Sequence, residues 1–90
     1  MKEIEIIPIA KRKLEKRGIP EAWVRETVNS PAQSVKGYGG RKVAHNKYII
    51  ENREYLLRVV YEEDQEKNVI LTAYLTSQII RYWKEEKDED

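Results

Sequence analysis

The stretch "REYLLRVVYEEDQEKNVILTAYLT", Arg53 to Thr76, decides the fold. Two apolar runs rich in β-branched and aromatic residues flank a charged break, the pattern of two strands joined by a hairpin. Side chains alternate across a strand, so each run has two faces. In the second run Val69, Leu71, Ala73 and Leu75 share an apolar face, expected to meet helices. Ile70, Thr72, Tyr74 and Thr76 form the other. In the first run Tyr55, Leu57, Val59 and Tyr61 alternate with Leu56, Arg58, Val60 and Glu62. Arginine is almost never fully buried without a partner, so the face of Arg58 is assigned outward, with that of Thr72 and Tyr74.

Working outward, "RKVAHNKYIIE" before this stretch is a third strand. If the turn is the two-residue Asn52–Arg53, or a four-residue loop of Glu51 to Glu54, Lys47 opposes Arg58 and His45 opposes Val60, whereas a three-residue loop would flip the earlier strand. One face then collects His45, Lys47, Arg58, Thr72 and Tyr74. Two cations side by side repel, so a carboxylate, a bound anion or solvent must compensate. The plain alternative for Arg58 is an exposed arginine that lays its stem over Leu56 and Val60 and pairs with a carboxylate.

"QSVKGY" is a weaker strand, interrupted by Gly37, and "GYGG" is a loop. Toward the N-terminus, residues 9–17 and "PEAWVRETVNS" read as two helices. Gly18 serves as C-cap of the first and Pro20 opens the second. "SQIIRYWKEE" reads as a short final helix. The expected architecture is α+β, in the order α-α-β-β-β-β-α. An N-terminal helical hairpin packs on a three- to four-stranded antiparallel sheet, with a short C-terminal helix.

Ninety residues make one small domain, taken as 1–83, with 84–90 an acidic, disordered tail. There is no cysteine, hence no disulfide or thiolate metal site, and a single histidine argues against a histidine-based one. No metal or other cofactor is expected. No apolar run approaches a membrane span and no signal peptide opens the chain, so a soluble cytoplasmic protein without membrane contact is expected. The net charge is +1, from 17 Lys and Arg against 16 Asp and Glu. It is unevenly spread: "KRKLEKR" (11–17) is strongly basic and "KEEKDED" (84–90) is acidic. A mildly basic body permits contact with phosphate, while the tail weakens it.

"KLEKRGIPEAWVRETVNSP" (13–31) and "YLLRVVYEEDQEKNVILTAYLTSQIIRYW" (55–83) resemble the two halves of domain-of-unknown-function family 4258. The likeness spans roughly residues 4 to 83. Many members begin the first helix with His-Ala, where this chain has Ile9-Ala10. The family in turn is similar to the RelE/ParE toxin superfamily, which holds ribosome-dependent mRNA endonucleases, gyrase inhibitors and proteins of no known activity. The resemblance implies a toxin-like protein, with RNA or the ribosome and a small antitoxin protein as partners. On this resemblance His45, Lys47, Arg58 and Tyr74 are the catalytic candidates, with Thr72, Arg81 and Tyr82 as binding residues. Cleavage would use the RNA's own 2′-hydroxyl and no metal. His45 or a lysine takes its proton, Arg58 stabilises charge on phosphate, and Tyr74 orients the base or protonates the leaving oxygen. The alternative is a non-catalytic module that binds protein or nucleic acid.

Overall fold

A computed structural model describes residues 2–83. The elements are β1 (Glu3–Ile6), α1 (Pro8–Arg17), α2 (Glu21–Asn29), β2 (Gln33–Lys36), β3 (Lys42–Ile50), β4 (Arg53–Glu63), β5 (Lys67–Thr76) and α3 (Ile79–Tyr82). The strands form one five-stranded sheet in the order β1-β5-β4-β3-β2. The three pairings among β2 to β5 are antiparallel, and β1 lies parallel to β5. No helix among the described residues is long and apolar enough to cross a membrane.

This corrects the expected three- to four-stranded antiparallel sheet. The sheet is mixed because "EIEI" at Glu3–Ile6 is a strand in its own right. Ile4 and Ile6 point into the core and Glu3 and Glu5 into water. That is the period-two alternation of a half-buried strand, compressed into four residues. Glu3 and Glu5 form the solvent face of this strand.

One side of the sheet carries the main core. Ala10 and Leu14 of α1, Val24 and Val28 of α2, and Ile19 of the link between them pack on Ala44, Leu57, Val59 and Ala73. Gly18 closes α1 in the left-handed conformation (φ 66°), and Ile19 N–H bonds the Leu14 carbonyl at 2.9 Å. Trp23 stacks on Tyr48 with ring centroids 4.3 Å apart, which ties α2 to the β3 edge. β1 pairs with β5 only over Lys67–Ile70. Along the rest of β5 the Nη1 group of Arg17 donates to the Ala73 carbonyl at 2.8 Å.

Two details of register differ from the sequence reading. A bulge lies between Val60 and Tyr61: Val60 pairs Thr72 but Tyr61 pairs Ile70, which leaves Leu71 as the extra residue. Ile70 rather than Val69 or Leu71 therefore enters the core, where it is fully buried. The β3–β4 turn is Glu51–Asn52, with Ile50 opposite Arg53. It sits one residue earlier than expected, so partners shift by two and every face is preserved.

Both turn residues have positive φ, 50° for Glu51 and 66° for Asn52, as the favoured two-residue hairpin turn requires. Asparagine tolerates that region, whereas glutamate is strained in it. Replacing the pair by Asn-Gly (E51N/N52G) should raise stability by about 1 kcal/mol in urea unfolding.

Candidate functional site

On the sheet face away from α1 and α2, three strands bring one row of side chains into line. His45 of β3 faces Arg58 of β4, and Arg58 faces Tyr74 of β5. Cross-strand partners point the same way, so these three groups meet directly. Lys47 does not oppose Arg58, as expected from the later turn; it opposes Leu56. The repulsion expected between two neighbouring cations is thus absent, because an imidazole takes the place of the ammonium.

The row is joined by hydrogen bonds. Arg58 Nε–H donates to His45 Nε2 at 3.1 Å. An arginine can only donate, so Nε2 is the bare ring nitrogen and the ring hydrogen sits on Nδ1. Nδ1–H donates to Gln33 Oε1 at 3.1 Å. Arg58 Nη1 donates to the Tyr74 hydroxyl. The chain of bonds from β2 to β5 fixes the guanidinium in rotation as well as in place.

Residues 77–83 fold back over this face and cover the row. Tyr82 of α3 lies against the Arg58 guanidinium, 4.1 Å from its ring centroid, and meets Tyr74 edge-on at 6.4 Å. Trp83 stacks over His45 at 6.4 Å and carries Lys47 Nζ at 4.2 Å from its centroid. His45 is completely buried, and Arg58, Tyr74 and Tyr82 are partly exposed. The face expected to be open is therefore roofed by aromatic rings. Arg58 remains reachable, whereas the imidazole is reached only past Trp83 and Arg58.

The other candidates sit at the margin. The Thr72 hydroxyl is one row along on the same face, but it accepts a bond from Arg17 Nη1 at 3.3 Å. Arg81 bonds Gln78 Oε1 at 3.3 Å and lies 5.4 Å from the Tyr82 centroid. Lys47, Arg81 and Trp83 line a shallow groove of about 710 Å³ beside α3, together with Glu54 and Ile80. Trp83, not among the sequence candidates, closes the roof over His45 and Lys47. Its place after Tyr82 and the basic Arg81 is the signal that pointed that way. Among the described residues no three His, Asp or Glu side chains gather as metal ligands. The proposed disordered tail at 84–90 lies outside the described residues.

The electrostatics turn on Arg58. The ion pairs among the described residues each involve an exposed or half-exposed cation, such as Lys67 with Glu5 or Lys2 with Glu63. Arg58 is held in a row of neutral groups, and among the described residues no carboxylate lies within 4.0 Å of it. The plain alternative, an arginine paired to a carboxylate, is not what these residues form. His45 responds to its surroundings: burial first, and the Arg58 cation second, lower its pKa from 6.5 to about 4.

No protein-family profile, curated protein or solved structure matches this chain.

His45 is the only histidine, so its titration can be followed without assignment. Its ring signals should move near pH 4 rather than 6.5 in an NMR titration. The unfolded chain takes up the proton at the higher pKa. Stability is thus full above pH 6.5 and falls as pH drops from 6.5 to about 4, by about 3 kcal/mol. Glu63, held near pKa 2 by Lys2 and Lys42, acts only below the usual glutamate range, so the upper part of this window belongs to His45.

Proposed function

We propose that this chain is a toxin-like protein of the RelE/ParE type that binds RNA in the cytoplasm and cleaves it without a metal. The single observation that carries the reading is Arg58, a partly exposed guanidinium fixed by His45 and Tyr74 and facing no carboxylate among the described residues. Phosphate is one of the anions whose oxygens match the arginine fork, with Nη2 left to meet it. The reading rests on this set of side chains and on the resemblance to family 4258, not on the sheet, whose five mixed strands differ from what that resemblance implied.

In the reaction the 2′-oxygen attacks phosphorus and the bond to the 5′-oxygen breaks. Arg58 neutralises the charge that builds on the phosphoryl oxygens. When phosphate draws Arg58 Nε–H away, His45 Nε2 regains its lone pair and takes the 2′-hydroxyl proton. The Tyr74 hydroxyl, which accepts from Arg58 and keeps its own proton, donates that proton to the leaving 5′-oxygen. Tyr82 supplies a ring beside the guanidinium on which a base can stack. Trp83 must swing aside for His45 to act.

The second reading is a module that binds RNA or a protein and does no chemistry. One observation favours it: His45 is fully buried with both ring nitrogens engaged, which suits a positioning role for Arg58 better than proton transfer.

The test is purified protein on labelled mRNA with chelator present, alongside growth of cells that overproduce it. The first reading expects cleavage insensitive to chelator, with Arg58→Ala slower by about 10²- to 10³-fold. Growth arrest should be relieved by the same change. RNA bound through Arg58 but left intact would decide for the second reading.

A further inference from the structure

We infer that the outward face of α1 is a second polyanion-binding surface, on the opposite side of the sheet from Arg58, and that its partner is the phosphate backbone of RNA. Residues 1–83 hold 15 Lys and Arg against 11 Asp and Glu. The ten residues of α1 hold five of those cations (Lys11, Arg12, Lys13, Lys16 and Arg17) and one of the acids, Glu15. The remainder of the body is balanced, ten against ten. Its whole positive excess therefore rides on one short helix.

The placement within α1 is as telling as the count. Ala10 and Leu14 are buried, which turns Arg12 and Lys16 outward with Lys11 and Lys13 on either flank. Elsewhere five of the ten cations are matched among the described residues: Lys2 and Lys42 with Glu63, Arg25 with Glu21, Arg41 with Glu62, Lys67 with Glu5. Lys11, Arg12, Lys13 and Lys16 form no ion pair or side-chain hydrogen bond among the described residues.

Stability does not account for this. Arg12 with Lys16 and Lys13 with Arg17 are like charges four apart, which weaken a helix. The helix dipole welcomes Lys16 and Arg17 in the last turn, but it opposes cations in the first, where no acidic residue stands. Only Arg17 has a structural task, at the β5 edge.

An anionic membrane would also attract such a face. An interfacial helix at a lipid surface adds a buried apolar stripe to its charge, however, and that of α1 is spent on the core, with only Ile9 half-exposed beside it. A phosphate backbone needs charge alone. The choice of RNA rests on the proposed function, whereas the surface itself does not depend on Arg58.

The test is fluorescence anisotropy of a labelled 20-nucleotide single-stranded RNA against salt concentration. The variant K11Q/R12Q/K13Q/K16Q keeps Arg17 and uses a good helix former, and circular dichroism checks its fold. Binding should weaken by about 10- to 100-fold at low salt, and the slope of log K on log salt should flatten by about 2. A control with the same charge change, K2Q/R25Q/K42Q/K67Q, should lose much less. An unchanged slope in the α1 variant overturns the inference, as does an equal loss in the control. Tighter α1-dependent binding to vesicles containing phosphatidylserine than to RNA overturns the choice of partner. In Arg58→Ala the α1-dependent slope should persist, so a failed cleavage reading leaves this result standing or falling by itself.

Discussion

The hydrogen bond from Arg58 Nε–H to His45 Nε2 organises the far side of the sheet. An arginine at the middle of a central strand must be accommodated by its two neighbours, since every backbone direction there is already taken by the ladder. β3 supplies a neutral imidazole and β5 a phenol, and each accepts from the guanidinium. That choice settles the histidine tautomer, lowers its proton affinity and leaves a cation that no carboxylate among the described residues cancels. The rings of Tyr82 and Trp83 then find something to cover: the flat guanidinium and the imidazole.

Much of this arrangement was legible in the amino-acid order, and the reasons are specific. Alternation, with an even-numbered turn before β4, put His45, Lys47, Arg58, Thr72 and Tyr74 on one face. It survived a misplaced turn because the error moved partners by two residues, which leaves parity intact. The identity of partners was less secure, since neither Glu51-Asn52 nor Asn52-Arg53 carries the Asn-Gly signature that pins a tight turn. Leu71 is apolar whether it sits in a regular strand or at a bulge, so nothing local marked it as the extra residue. β1 escaped because four residues give only two turns of the alternation, and half of them are glutamates.

The roof over the site was the hardest feature to foresee. Ile79, Ile80 and Trp83 look like a core-facing stripe, yet Ile80 is 95% exposed. The rings that pack are Tyr82, over the Arg58 guanidinium, and Trp83, over the His45 imidazole with the Lys47 ammonium against it. Flat, polarisable faces meet charged groups favourably where aliphatic side chains do not, so the direction of this segment is set by Arg58 and Lys47 more than by hydrophobic patterning. The fate of His45 followed from that direction, being a burial imposed by a segment some forty residues away.

The parallel pairing of β1 with β5 has a consequence for how the chain reaches this state. Glu3 finds its partner at Lys67, about 64 residues on, so the first strand made is the last that can be zipped into the sheet. On the ribosome the α1–α2 unit and the three hairpin-linked strands can assemble while Ile4 and Ile6 wait in solvent. Once α1 packs on Ala73 of β5 the long loop is already closed, and β1, one residue before α1, docks on a partner strand already in place. Docking of β1 is therefore the natural final step of folding, and the edge of β5 stays open to rival strands until it happens.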